Sequence, residues 1–461
     1  MDRRSFLEKA GGFTGMMLGG LSFNPAESWS RPSNLRITDI RGCTIASQYD
    51  YPIIKLYTNQ DVYGWGEVRD HGHLCQALML KPYLVGRDPL DIENIMESLR
   101  PFSDHGRYGG GFSAVDMALF DIAGKIMGWP AYKLLGPKRR DKIPVYADTD
   151  ESDDIETYAR RVKKRVVDNG LRHVKMDLRA NLIRNIPGAV ENGVPTWKGI
   201  SHWGEYVAAA REAIGPDITM GADHFGRLSV EAAVNLGNFM SSPEYNLAYL
   251  EDCINYRARN TINLNRMITE GSATPTLNGE DIFGFEGFRP FVEHGAVDII
   301  HPDIETSGGL RETKKICGYA NLFGIRTMFH QAGSPIGAMA GIHCAATLND
   351  FISMENHAMD IPWWSDLVSG IDKPMIVDGH YTVPETPGLG VELIEAVAKE
   401  YLREDKYLYK GGFFEPTPEF DEPVGWQEAI NKKMIGEWYN HGGPWVHLDE
   451  NGNLVNRADP R

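Results

Sequence analysis

The sequence is poor in cysteine, in basic residues and in long hydrophobic runs, and each shortage excludes a class of protein. Only five of its 461 residues are cysteines, and none has C-x-x-C spacing, which argues against a zinc site and a dense disulfide framework. Lys and Arg number 47 against 63 Asp and Glu, so the net charge of −16 disfavours binding to nucleic acid or an anionic membrane face. No apolar run after the N-terminal segment reaches the length of a transmembrane helix.

The N-terminal 34 residues have the pattern of an export signal. The segment Arg3 to Leu7 begins with paired arginines, and a weakly apolar run rich in Gly and Met follows from Ala10 to Phe23. This arrangement is typical of a twin-arginine signal peptide, and the run is too short and too glycine-rich for a stable membrane span. We therefore expect residues 1–34 to be a signal peptide that directs the protein to the periplasm. A disordered basic tail is the alternative.

Residues 35–141 predict a small α+β domain. Short alternating runs from Leu35 to Val68 indicate antiparallel strands, and helical patterns follow. Ser113 is the predicted N-cap of a helix over 113–127, with Asp116 three residues later. Strands first and helices afterwards are typical of an α+β unit.

Residues 142–385 change to strand–helix alternation. Eight apolar runs of strand length follow one another, at 143–146, 173–178, 218–222, 248–250, 275–277, 297–300, 327–329 and 351–354. Amphipathic stretches between them predict an α/β fold, a TIM-type (β/α)7β barrel. The N-terminal region and the C-terminal segment, residues 386–461 with an extra tail, would form its α+β capping domain. An open Rossmann-type sheet is disfavoured, because no G-x-G-x-x-G opens a helix after an early strand.

Charged side chains stand at the carboxyl ends of successive predicted strands, where such a barrel places its active site. In chain order they are Lys175 and Asp177, Asp223, Glu251, Glu280, Asp303, His330 and Glu355. Asp223, Glu251 and Glu280 come from adjacent strands and make an all-oxygen set, which suits Mg²⁺ with open coordination positions. Each alone could be a surface residue, but three at equivalent strand ends favour a metal site.

These motifs resemble the mandelate racemase-like branch of the enolase superfamily. The matching stretches include Gly64-Trp65-Gly66-Glu67, Lys175-Met176-Asp177, Leu250-Glu251-Asp252, Asn278-Gly279-Glu280, Gly295 to Asp303, Ser307-Gly308-Gly309 and Ala332 to Gly337. The resemblance covers roughly residues 36 to 390. It is specific for the superfamily and the fold, and weak for the substrate.

The resemblance implies a role for each of these residues. Asp223, Glu251 and Glu280 would bind Mg²⁺, which holds the substrate carboxylate. His330 would be the base, with Asp303 fixing its tautomer. Glu355 would hydrogen-bond a carboxylate oxygen as the protonated acid, and Lys175 would help to neutralise that carboxylate.

The sequence departs from the family at two places that bear on the reaction. Many members carry a second lysine, a base on the opposite face of the substrate, where this chain has Asp177. Phe225 replaces the usual Asn or His two positions after the third-strand carboxylate, so the neighbouring His224 becomes a candidate acid. With one evident base, elimination is favoured over two-base racemisation.

Polar loops of the capping domain favour a hydroxylated substrate. Tyr49, His105 and Arg107 are the candidate substrate-binding residues there, joined by Asp177, for which a structural role is the alternative. Together the patterns predict an exported, Mg²⁺-dependent lyase that dehydrates a sugar acid to a 2-keto-3-deoxy acid. A racemase, epimerase or cycloisomerase, an exported solute-binding protein and a zinc hydrolase are the alternatives. The resemblance also implies a homo-oligomer.

Overall fold

A computed structural model describes most of the chain between residues 34 and 456. The described residues are 34–70, 72–103, 109–223, 225, 228–254, 257–403, 412–425, 428, 446–448 and 454–456. The chain divides into two compact units, Met1–Leu35 and Arg36–Arg461, and every helix and strand named here belongs to the second. The predicted signal peptide lies outside the described residues except for Asn34, so export to the periplasm stays a prediction.

An antiparallel sheet and five described helices form the N-terminal part. The strands are β1 (Ile37–Ile45), β2 (Tyr51–Thr58) and β3 (Tyr63–Glu67), paired in that order. The helices are α1 (Cys75–Leu78), α2 (Lys81–Leu84), α3 (Ile92–Leu99), α4 (Gly110–Met127) and α5 (Tyr132–Leu135). Helix α4 lies close against β3, because a Cβ at Gly64 or Gly66 would overlap the carbonyl oxygens of α4.

The predicted N-cap at Ser113 is wrong. Helix α4 begins at Gly110, which places Ser113 and Asp116 inside its first turns, where both are buried. Ser113 Oγ accepts a hydrogen bond from the backbone N–H of Gly308 at 3.1 Å, and Asp116 Oδ1 accepts one from Leu310 at 2.6 Å. These polar side chains therefore join the capping domain to the barrel instead of capping their own helix.

Eight described parallel strands close into a barrel. In chain order the strands of this region are β4 (Lys142–Tyr146), β5 (His173–Asp177), β6 (Val190–Glu191), β7 (Val194–Pro195), β8 (Thr219–Asp223), β9 (Leu250–Glu251), β10 (Thr276–Asn278), β11 (Ile299–Ile300), β12 (Arg326–Phe329) and β13 (Phe351–Glu355). All except the β6–β7 hairpin lie side by side in the order β4-β13-β12-β11-β10-β9-β8-β5. A parallel bridge between Ala147 and Val174 joins β4 to β5.

Helices surround this barrel and confirm the (β/α)7β prediction. They are α6 (Ile155–Asn169), the short α7 (Asn181–Arg184), α8 (Trp197–Ile214), α9 (Val230–Met240), α10 (Thr261–Gly271), α11 (Gly284–Glu293), α12 (Gly309–Leu322) and α13 (Pro335–Ala345). Asp154, Thr196, Ser229 and Ser334 cap α6, α8, α9 and α13 with side-chain oxygens. The polar insert after β5 contains α7 and the β6–β7 hairpin.

The chain after β13 returns to the barrel and to the capping sheet. Its elements are β14 (Val368–Ser369), β15 (Ile376–Val377), β16 (His380–Thr382), β17 (Glu392–Leu393), α14 (Glu395–Glu400), β18 (Val446–Leu448) and β19 (Leu454–Asn456). Strand β16 pairs antiparallel with β4. Beyond α14, the backbone N–H of Arg403 donates to Thr44 of β1 at 2.9 Å.

Hydrophobic side chains fill the space between strands and helices, while much of the barrel interior is polar. Tyr146, His173, Tyr249 and His301 are all buried inside it and contact one another through their rings. Along β5, residues 173, 175 and 177 share one face, because side chains alternate along a strand. Within the described residues, we find no helix both long and apolar enough to cross a membrane.

Candidate active site

Lys175 lies at the centre of the carboxyl ends of the barrel strands. Its side chain is 1% exposed, and its Nζ lies 3.2 Å from Asp223 Oδ2, 3.1 Å from Glu251 Oε2 and 2.8 Å from Glu355 Oε1. Burial lowers the pKa of this lysine, but Glu251, Glu355 and Asp223 together raise it well above its usual value. The site therefore holds a permanent positive charge surrounded by three carboxylates.

The predicted metal-binding carboxylates repel one another. Burial and then Asp223 raise the pKa of Glu251 well above its usual range, and Glu280 adds to the effect. Burial, followed by Glu280 and Asp223, likewise raises the pKa of Asp252 well above its usual range. Such a concentration of buried negative charge is costly unless cations lie among the groups.

These residues fit a hard divalent cation. Neither carboxylate oxygen of Glu251 accepts a hydrogen bond from any residue that the structure describes, although the side chain is buried. His301 Nδ1 lies 2.7 Å from Glu251 Oε1 but is not aligned for a hydrogen bond. Glu251, Glu280 and His301 each offer a ligand atom within 4.8 Å of the others. Oxygen-rich donors with unsatisfied lone pairs are the chemistry that Mg²⁺ prefers.

His330 and Asp303 form a buried pair. Asp303 and His330 occupy adjacent strand ends, joined by a parallel bridge, and His330 Nδ1 lies 2.6 Å from Asp303 Oδ2. Arg69 Nη1 lies 2.9 Å from the same Asp303 oxygen. His330 Nδ1 also lies 2.9 Å from Arg69 Nη1, and Nε2 lies 3.3 Å from Glu280 Oε2. For Nε2 to act as a base, the ring proton must stay on Nδ1 and point to Asp303. Burial and the nearby Arg69 lower the pKa of His330 well below its usual value, so the ring is a neutral base.

Arg69 is a site residue that we did not predict. It follows the Gly64-Trp65-Gly66-Glu67 stretch by two residues and is fully buried. Burial raises the pKa of Asp303 to about 7, and Arg69 opposes this by favouring the charged form. The signal that could have identified it is an arginine two residues after the end of a predicted strand.

Glu67, the last residue of the 64–67 motif in β3, binds the segment that follows His330. Its carboxylate accepts hydrogen bonds from the Ser334 N–H at 2.8 Å, the Ser334 hydroxyl at 2.6 Å and the Gly337 N–H at 3.0 Å. These donors lie at the N-terminus of α13, where backbone N–H groups have no partner within the helix. The capping domain thus fixes the loop that follows His330.

Glu355 and His357 form a second buried pair beside Lys175. His357 Nε2 lies 3.1 Å from Glu355 Oε1. Burial alone would raise the pKa of Glu355, but Lys175 and His357 hold it well below its usual range. The resemblance implies a protonated Glu355 against the substrate carboxylate, and that role stays a prediction. His357, two residues beyond the end of β13, was also not predicted.

The predicted substrate-binding residues divide into three groups. Tyr49 comes from the capping domain and lies edge-on to the His357 ring, with centroids 5.4 Å apart. Asp177 is buried and binds Arg179 at 2.7 Å, within an acidic group that includes Asp148. The remaining candidates lie outside the described residues, namely His105, Arg107 and the predicted acid His224.

Two family models match the chain. Residues 157–397 match the model described as "Enolase C-terminal domain-like". Residues 31–136 match the N-terminal domain of the mandelate racemase / muconate lactonizing enzyme model.

Similar proteins and solved structures match most of the chain. It is 31% identical over 385 residues to a D-xylonate dehydratase from Haloferax volcanii, covering 81% of this chain and 90% of that protein. It is 29% identical to a D-galactonate dehydratase family member from Salmonella virchow, and the match covers 80% of this chain and 94% of that protein. The solved structure of a mandelate racemase/muconate lactonizing enzyme-like protein from Rubrobacter xylanophilus superposes with a TM-score of 0.75 at 27% identity. The superposition covers 83% of this chain and 100% of that one. The chain belongs to the enolase superfamily, in the mandelate racemase and muconate lactonizing enzyme group.

Proposed function

We propose that the protein is a sugar-acid dehydratase, which removes the proton α to a carboxylate and then the β-hydroxyl, giving a 2-keto-3-deoxy acid. The observation that carries the proposal is the neutral His330, held by Asp303 with Nε2 beside Glu280. The D-xylonate and D-galactonate dehydratase names of the relatives support this substrate class.

The metal of this proposal is Mg²⁺, held by Asp223, Glu251 and Glu280. The unsatisfied oxygens of Glu251 and the mutual repulsion of these carboxylates support it. When bound, Mg²⁺ supplies Lewis-acid stabilisation of the negative charge that develops on the substrate carboxylate.

Side chains of the protein transfer the proton and offset the charge of the substrate. His330 Nε2 takes the α-proton, and Asp303 supports the resulting imidazolium through the 2.6 Å contact to Nδ1. Lys175, which is buried and cationic, lies where it offsets the charge of the substrate carboxylate. His330, Asp303 and Lys175 are buried, which strengthens these electrostatic interactions.

Elimination is favoured over racemisation by the residue at the position of the family's second base. Racemisation by two bases needs a second proton acceptor, and the lysine that would serve is Asp177 in this chain. Arg179 lies 2.7 Å from this buried carboxylate. Burial and the acidic neighbour Asp148 raise its pKa well above the usual value. Elimination is therefore favoured by the missing lysine, with the Asp177 carboxylate paired to Arg179 in its place.

A direct assay tests the proposal. We expect the wild-type protein with Mg²⁺ to convert at least one member of a panel of aldonic acids to its 2-keto-3-deoxy acid in D₂O, followed by NMR. Because the enol takes up a solvent deuteron at the β-carbon when it tautomerises, deuterium will appear at C3 of the product. Exchange at the α-position without keto acid would indicate a racemase or epimerase. Binding of sugar acids with neither exchange nor product would indicate a solute-binding protein.

Removal of one metal ligand gives a separate prediction. Glu251→Gln is expected to weaken Mg²⁺ binding by at least about 10–100-fold, since a neutral amide replaces a carboxylate in the site. Isothermal titration with MgCl₂ measures this directly. Glu270→Gln is the matched control, because Glu270 is 61% exposed on α10. Equal affinity in wild type and Glu251→Gln would refute the assigned metal site.

A further inference from the structure

His357 is a buried histidine that the assigned base and metal ligands leave without a role. Its side chain is 6% exposed and lies beside three groups of the site. Nε2 is 3.1 Å from Glu355 Oε1, Nδ1 is 3.6 Å from Asp148 Oδ2, and the ring centroid is 5.3 Å from that of His330. Nε2 has no aligned hydrogen-bond partner among the described residues.

We propose that His357 is the acid that protonates the departing β-hydroxyl. The inference rests on the proposed dehydratase function and adds the residue that completes it. The two histidines flank Glu355, because His330 Nε2 lies 3.8 Å from Glu355 Oε2 while His357 Nε2 lies beside Oε1. Two neighbouring rings suit two reacting groups on adjacent carbons, with His330 at the α-proton and His357 at the β-oxygen.

The reaction balances with these two groups. The Cα–H bond breaks as His330 Nε2 takes the proton. The electron pair left on Cα forms the Cα–Cβ double bond while the Cβ–O bond breaks, and the leaving oxygen takes the N–H proton of His357. Water and an enol result, and the enol tautomerises to the 2-keto acid. His330 then loses its proton to solvent and His357 regains one, so no other reactant is needed.

The surroundings of His357 keep it protonated before the reaction. Burial lowers its pKa, but Glu355 and then Asp148 raise it to about 9, against the opposing charge of Lys175. The other groups that face the ring are Tyr49 and the neutral His330. His301, also at the strand ends, differs, because burial lowers its pKa to about 4. A general acid must hold its proton at the working pH, and His357 meets that condition.

The test compares two leaving groups on one sugar-acid skeleton. The hydroxyl substrate is an aldonic acid that the wild type dehydrates, and the analogue carries fluorine in place of the β-hydroxyl. Fluoride departs as a stable anion and does not need a proton, whereas hydroxide does. For His357→Gln we expect kcat on the hydroxyl substrate to fall by about 10²–10⁴-fold, while fluoride release changes by less than about tenfold. Keto-acid formation and ¹⁹F NMR report the two rates.

Each outcome decides between roles for His357. If hydroxyl and fluoride elimination fall by the same factor, His357 only positions Glu355, and the proposal is overturned. An unchanged rate on the hydroxyl substrate overturns it as well. His357→Asn is the second variant if the Gln form fails to fold, and His294→Gln, at an exposed histidine after α11, is the matched control. Absence of keto acid from the wild type itself would count against the proposed function, which is a different result.

Discussion

The His330→Asn variant is expected to form 2-keto acid with a kcat about 10³–10⁴-fold below that of the wild type. Asparagine keeps a polar side chain of moderate size but cannot accept a proton at neutral pH. His330 is also the base in the first step, so exchange of the α-proton with D₂O should disappear together with the product. Steady-state kinetics and NMR exchange on the same sugar acid measure both effects.

Two controls show that this loss comes from proton transfer. Mg²⁺ affinity of His330→Asn should stay close to that of the wild type, because His330 is not among the assigned ligands. His294→Asn, which changes an exposed histidine, should keep full activity. Retained α-proton exchange in His330→Asn would contradict the assignment and indicate that another group removes the proton. The contrast with His357→Gln is sharp, since that variant should lose dehydration while it still exchanges the α-proton.

The barrel could be predicted because its strand–helix repeat appears in the sequence as regularly spaced apolar runs. Each of the eight predicted runs overlaps a strand of the barrel, and ionisable residues stand at the carboxyl ends of seven of them. Parallel strands must be connected by crossovers, so their carboxyl ends meet without any knowledge of tertiary contacts. That regularity is why Lys175, Asp223, Glu251 and Glu355 could be placed together from sequence. Strand lengths were less predictable, since β9 and β11 contain only two residues each.

The parts of the site that sequence did not reveal depend on contacts between distant segments. Arg69 comes from the capping domain, 234 residues before its partner Asp303, and no periodicity connects them. The surroundings of Glu355 could not be predicted, because Lys175 and His357 approach it only in the folded chain, where they lower its pKa against the effect of burial. His357 did carry a local signal, a histidine two residues after a strand-end carboxylate. For Ser113 the helix was predicted correctly but the N-cap role was wrong, because the hydroxyl binds the Gly308 N–H in the barrel.

Lys175→Met is expected to destabilise the metal-free protein by about 3–5 kcal/mol. The substitution keeps a long, unbranched side chain but removes the ammonium that lies within 3.2 Å of Asp223, Glu251 and Glu355. These buried carboxylates would then repel one another with less compensation, as the raised pKa of Glu251 already indicates in the presence of the lysine. Urea unfolding followed by circular dichroism in EDTA measures the loss.

The dependence of this loss on Mg²⁺ and pH identifies its electrostatic origin. At one Mg²⁺ concentration the variant should be stabilised more than the wild type, because carboxylates freed from the ammonium bind the cation more tightly and the cation binds the folded state alone. Loss of the ammonium raises the folded-state pKa of the carboxylates above their unfolded values. The folded variant then binds more protons than the unfolded chain, so its deficit should shrink as the pH falls. Lys163→Met, at an exposed position on α6, should show neither effect. A deficit that is the same with and without Mg²⁺ would mean that Lys175 stabilises the barrel through packing, with its charge playing no part.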